Sequence, residues 1–142
     1  MQLKIDKKFK LKTNYSFEAP IIKASEFLGD AEKLSNEIKT FNLSSHLISN
    51  PKNSYLVHVV GDSMIDEAIY EGDILVVEKQ KTVKDGDIVI AALNGEMAVK
   101  TYKLIDGKAY LYSANKRFLP IEIKPFWEFQ IQGIVKFVIH SL

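Results

Sequence analysis

Two residues in this sequence could together cut an amide bond. In Val60-Gly61-Asp62-Ser63-Met64-Ile65-Asp66 a serine leaves an apolar run at a glycine turn, and in Met97-Ala98-Val99-Lys100 a lysine sits inside a later strand-like segment. A serine hydroxyl becomes a nucleophile when a base takes its proton, and lysine is such a base only as the neutral amine. Its ordinary pKa is about 10.4, and burial lowers it by disfavouring the charged form. The chemistry therefore requires Lys100 to face inward with Ala98 and Tyr102. Backbone N–H groups at Asp62 and Ser63 would then hold the oxyanion of an acyl-transfer intermediate.

Each residue also has a structural reading. Tyr55-Leu56-Val57-His58-Val59-Val60 is rich in strand formers, and Met64, Ile65, Ala68 and Ile69 recur at helical spacing, so Ser63 falls at a strand-to-helix junction. Ser63 with Asp66 fits a capping box, in which the hydroxyl closes the first turn of a helix. One residue can cap a turn and also carry chemistry. A lysine in a strand ordinarily points to water, which Glu96-Met97-Ala98-Val99-Lys100-Thr101-Tyr102 would also accommodate.

The elements that must position the pair read as short strands. Ile74-Leu75-Val76-Val77 and Ile88-Val89-Ile90-Ala91 are continuous apolar runs suited to buried strands, each preceded by a Gly-Asp turn. Leu93-Asn94-Gly95-Glu96 carries the strongest short hairpin signal and puts Lys100 on the returning strand. Ile105-Asp106-Gly107-Lys108 makes another hairpin, and Phe129 to Ile139 is a long strand with a bulge expected at Gly133. The class is mostly β: a twisted antiparallel sheet assembly with short helices and an N-terminal arm.

Four boxes carry a resemblance: Gly61-Asp62-Ser63-Met64, Glu71-Gly72-Asp73-Ile74-Leu75-Val76-Val77, Asp85-Gly86-Asp87-Ile88-Val89-Ile90-Ala91-Ala92 and Gly95-Glu96-Met97-Ala98-Val99-Lys100. In order and spacing, from roughly Asn50 to Leu142 and including Ala114-Asn115 and Pro120-Ile121, the chain resembles the LexA/UmuD-like self-cleaving serine peptidases. The resemblance implies a LexA/signal-peptidase-like fold, Ser63 as nucleophile, Lys100 as general base and no cofactor. It further implies activation by a RecA filament on single-stranded DNA in the SOS response, a homodimeric product and a translesion DNA polymerase as partner.

The region before Tyr55 divides into an arm, residues 1–28, and a linker, residues 29–50, ahead of a peptidase domain at 51–142. The arm has six lysines against Asp6, Glu18 and Glu26, a net +3 that leaves −2 for the rest of a chain of net charge +1. Gln2-Leu3-Lys4-Ile5-Asp6 and Phe9-Lys10-Leu11-Lys12 alternate as strands do. The roughly fifty residues ahead of Tyr55 are expected to leave no room for a helix-turn-helix domain plus linker. The architecture is therefore expected to be similar to the short UmuD type, without direct sequence-specific DNA binding. For Pro20 to Gly29 two readings compete. Pro20 could open a short helix that Gly29 caps, or, as the resemblance implies for a glycine some three dozen residues ahead of the serine, Leu28-Gly29 could be the scissile bond, Gly29 preceding Ser63 by 34 residues. The resemblance implies a small residue, typically alanine or cysteine, before that glycine, where this chain has Leu28. Ala31, Leu34, Ile38 and Phe41 could form a helical stripe, and Leu43, Leu47 and Ile48 a turn of helix ahead of Asn50-Pro51.

Composition bounds the rest. A chain of 142 residues with 46% hydrophobic content can bury a core. Without cysteine there are no disulfides or thiolate metal sites, in keeping with a cytoplasmic protein, and the longest apolar run, Ile88 to Leu93, cannot span a membrane at about 20 residues. His46, His58 and His140 lack metal-ligand spacing, so no metal site is expected. Asp62, Asp73 and Asp87 follow glycines at turns, where aspartate bonds nearby backbone. Phe126 and Trp127 read as core aromatics before an exposed patch.

Overall fold

The computed structural model describes residues 4–9, 18–21, 39–62, 64–80 and 82–142. Contacts divide the chain into two units, Met1–Leu11 with Asn50–Leu142, and Lys12–Ser49.

The larger unit is a sheet of eight strands. In chain order these are β1 (Lys4–Phe9), β4 (Ser54–Val60), β5 (Ile74–Glu78), β6 (Ile88–Leu93), β7 (Glu96–Ile105), β8 (Lys108–Tyr112), β9 (Ile121–Glu122) and β10 (Phe129–Ile139). Their order across the sheet is β1-β4-β5-β10-β6-β7-β8-β9, with β1 also bridging β7. All pairings are antiparallel, as the apolar runs and hairpin signals predict. β1 runs along β4 from Lys4 opposite Val60 to Phe9 opposite Leu56, and Lys4 also lies opposite Ala98 of β7. The first strand therefore joins the two elements that flank the Ser63 turn and carry Lys100.

The hairpins follow their turn residues. Asn94 and Gly95 have φ of 49° and 83°, and Asp106 and Gly107 have 51° and 76°, the left-handed pairs that match the twist of antiparallel strands. Against β6, the register of β10 shifts between Ile131 and Gly133, the bulge expected there. A Cβ on Gly133 would meet Val77 Cγ1 at 2.5 Å and the Glu78 carbonyl oxygen at 3.0 Å. The same contact area holds Tyr55, whose hydroxyl donates to the Gln132 carbonyl at 2.9 Å and is pushed up to about 12 by burial.

Two buried clusters fill the unit. One gathers Tyr55, Val57, Val59, Met64, Ile69, Leu75, Val77, Ile90 and Val99, and the other Val89, Ala91, Leu111 and Ile134. Period-two alternation on β4, with Tyr55, Val57 and Val59 inward, commits one face of that strand to the first cluster.

In the smaller unit, β2 (Glu18–Ile21) pairs with β3 (Lys39–Asn42), and α1 (Leu43–Leu47) follows. The α1 turn forms where Leu43, Leu47 and Ile48 predict it, and the Asn42 side chain caps it by accepting from Ser45 N at 2.9 Å. Pro20 lies within β2 and does not open a helix; proline is tolerated in a two-stranded ribbon, where its missing N–H can face away from the partner. Phe41 belongs to β3 and not to a helix, while Ala31, Leu34 and Ile38 of the expected helical stripe lie outside the described residues. Among the described residues no helix is long and apolar enough to cross a membrane.

Candidate active site

The turn after β4 is built to hold its backbone still. Gly61 takes φ of 96°, a conformation glycine adopts without steric cost, and Met64 beyond it is fully buried in the first cluster. The helix expected from Met64, Ile65, Ala68 and Ile69 is a single 3-10 turn, Ile65–Glu67. Ala68 ends it at φ 57°, and Ile69 returns to the core with its N–H on the Met64 carbonyl at 3.2 Å. The apolar spacing thus anchors a tight loop at two points, Met64 and Ile69, both fully buried. Ser63 itself lies outside the described residues, as do the expected cleavage positions Leu28 and Gly29 and the serine's part in a capping box.

Lys100 is at the centre of β7, opposite Val89 of β6, and is only 2% exposed. Cross-strand partners share a face, so Lys100 lies on the side of the sheet that carries Val89 and Ala91. Its Nζ donates to Ser113 Oγ at 2.5 Å and stands 5.7 Å from the centre of the Phe118 ring. Burial pushes Lys100 down to about 8. At neutral pH roughly a tenth of such an amine is unprotonated, against well under a thousandth for an ordinary lysine.

The segment after β8, Ser113 to Phe118, ties the turn and the lysine together. Ala114 O accepts from Asp66 N at 2.7 Å, and Ala114 N donates to Met64 Sδ at 3.3 Å. Asn115, 5% exposed, donates from Nδ2 to the Asp62 carbonyl at 2.8 Å and accepts at Oδ1 from Arg117 N. Arg117 reaches Asp62 Oδ2 at 3.3 Å. Asp62 and Met64, the residues on either side of Ser63, are thereby fixed to the same six residues that hold Lys100.

Ser113, Arg117 and Phe118 were not marked by sequence patterning. Ser113 follows an apolar strand with no motif of its own, and its contact with Lys100 crosses a hairpin.

The remaining candidates fall elsewhere. Asp73 accepts from Tyr70 N at 2.9 Å and Asp87 from Lys84 N at 2.9 Å, the turn bonds expected of them. Asp62 differs, since its carboxylate turns to Arg117. His140 Nδ1 lies 2.5 Å from Asp73 Oδ1, and His46 packs on the Phe41 ring with centroids 4.9 Å apart. Phe126 is 81% exposed and is not a core aromatic, while Trp127 is partly buried and meets it edge-on.

One short segment, Ser113 to Phe118, thus holds a buried lysine of the sheet and also pins the glycine turn after β4. The Peptidase S24-like family profile matches residues 20–136, and the chain belongs to that family. Over 94 residues it is 35% identical to a LexA repressor of Stenotrophomonas maltophilia, which is 66% of this chain and 44% of that protein. Over 91 residues it is 43% identical to a LexA repressor of Clavibacter sepedonicus, 64% of this chain and 39% of that protein. LexA repressor 2 of Pseudomonas putida is 39% identical over 80 residues, 56% of this chain and 40% of that protein. The chain thus matches about two fifths of the length of these relatives, and they carry the repressor name, not that of the short UmuD type.

Proposed function

We propose that this chain is a self-processing serine endopeptidase in which Ser63 is the nucleophile and Lys100 the general base. The observation that carries the reading is the state of Lys100: almost fully buried, pushed down to about 8, and held by the segment that also fixes the residues flanking Ser63. In the first step Lys100 Nζ takes the Ser63 hydroxyl proton as Oγ bonds to the scissile carbonyl, with the N–H groups of Asp62 and Ser63 on the oxyanion. The C–N bond then breaks as Lys100 returns the proton to the leaving amine. Water, deprotonated by the same amine, releases the acyl-enzyme. The substrate is the chain's own Leu28–Gly29 bond, and tethering supplies the effective concentration that makes a base mostly protonated at neutral pH sufficient.

The test is intact mass after incubation at mildly alkaline pH, for the wild type, Ser63→Ala and Lys100→Ala. Loss of a fragment ending at Leu28 from the wild type alone supports the assignment. A wild-type chain that stays whole, even with RecA assembled on single-stranded DNA, rejects it in favour of a non-catalytic binding module on the same fold.

Cleavage would serve the SOS response to DNA damage in the cytoplasm: a RecA filament triggers it, and the trimmed homodimer then assists a translesion DNA polymerase. A second reading, a self-cleaving regulator of phage or plasmid type, is favoured by the repressor name of the relatives. Co-purification of the trimmed product with a translesion polymerase separates the two, since the regulator would retain none.

A further inference from the structure

A buried amine that must accept a proton from one direction needs its other valences occupied. Neutral lysine has two N–H bonds and one lone pair, and a flexible four-carbon stem lets all three rotate. Here one N–H is taken by Ser113 Oγ, and the hydroxyl that takes it sits at the start of the segment pinned to Asp62, Met64 and Asp66. Phe118, at the far end of that segment, limits the remaining space on the amine.

We propose that Ser113 is a positioning residue for Lys100: by accepting from Nζ it fixes where the amine's lone pair points and keeps that direction registered to the turn that carries Ser63. The proposal rests on Lys100 acting as the base. The hydroxyl has a second effect, because a hydrogen bond to an ammonium is stronger than one to an amine. Ser113 therefore steadies the charge that Lys100 acquires as it takes the proton, and without it the amine would hold that proton less firmly. Other charged or titratable groups on the surrounding elements are Asp62 and Asp66 on the turn, Lys116 and Arg117 beside Ser113, Tyr112 on β8, Tyr102 and Lys103 on β7, and Lys4 of β1 by its register opposite Ala98. Asp62 is engaged by Arg117 and Lys103 lies over the Tyr112 ring, and desolvation is the cause of the depressed Lys100 value.

The experiment compares self-cleavage across pH 6 to 10 for wild type, Ser113→Ala and Ser113→Thr, with thermal melts to confirm that each folds. Alongside, the 13Cε resonance of Lys100 is titrated in the non-cleaving Ser63→Ala background with and without Ser113→Ala. The expected result is a plateau rate lowered by about tenfold or more in Ser113→Ala, a rate midpoint and resonance midpoint moved to lower pH, and recovery of both in Ser113→Thr. A lowered rate with unmoved midpoints would make Ser113 a packing residue and overturn the proposal, as would a wild-type rate in Ser113→Ala. If even the wild type fails to cleave, the self-cleavage reading fails by itself, and the proposal for Ser113 is overturned with it unless the resonance midpoint shifts.

Discussion

The Asn115 side-chain amide donates to the Asp62 carbonyl at 2.8 Å, so the turn after β4 is held from outside by a residue more than fifty positions downstream. Asn115 is 5% exposed, whereas the neighbouring Arg117–Asp62 ion pair has side chains 69% and 42% exposed. The two contacts reach one residue and differ sharply in worth. Loss of a buried hydrogen-bond partner costs about 1–3 kcal/mol, while an exposed ion pair contributes about 0–1. Asn115→Ala is expected to lower the unfolding free energy by the larger amount and to slow self-cleavage. Arg117→Ala should leave chemical-denaturation midpoints within error of wild type, and a larger effect would mean that Asp62 depends on its ion pair.

Self-cleavage should follow the neutral fraction of Lys100. With the group at about 8, the rate rises about tenfold per pH unit below that value and levels off above it. Single-turnover rates measured from pH 6 to 10 check this; a profile that keeps rising to pH 10 would show a lysine that is not buried in solution.

The same group links folding to pH. Lys100 sits at about 8 in the fold and returns to its ordinary 10.5 when the chain unfolds. Between those values the unfolded chain binds a proton that the folded one has shed, so stability rises with pH through that window. Below about 8 both forms are charged and the burial penalty is present in full. Lys100→Met is expected to stabilise the protein at pH 7 by on the order of 2–3 kcal/mol and to remove the rise between pH 8 and 10. Urea unfolding at pH 7 and pH 10 reads both effects, and a destabilised methionine variant would contradict them.

Gly133→Ala should destabilise by about 1–3 kcal/mol, because the added methyl would lie 2.5 Å from the Val77 side chain in a packed interior. Differential scanning calorimetry checks it. An unchanged melting temperature would show that β10 can move away from β5 at its bulge.

Much of this was legible in local patterning. The Asn94-Gly95 and Asp106-Gly107 hairpins, the buried β5 and β6 and the bulge at Gly133 are short-range signals, and each appears where turn chemistry or apolar runs put it. Long-range pairing was not legible. The alternation around Lys4 to Phe9 announces a strand, yet nothing in those residues says that it lies along β4. Ile65 to Ile69 misled because spacing does not distinguish a helix from a loop anchored at two buried points, and Ala68 at positive φ makes it the latter. At Lys100, alternation offered an inward face but not its depth, since Val99 on the opposite side is also fully buried. Ser113 was silent because its meaning arises only when the β7–β8 hairpin brings it back over the lysine.

The placement of β1 has a consequence for any shortened form of the chain. With β1 in place, β4 has a partner strand on each side, β1 and β5. Removal of the first nine residues strips away β1, the strand that covers that edge of β4 among the described residues. Such a bare rim is a template for another extended segment. Trimming the front of this protein therefore creates a sticky edge as well as losing mass, and the trimmed body should be the more self-associating of the two.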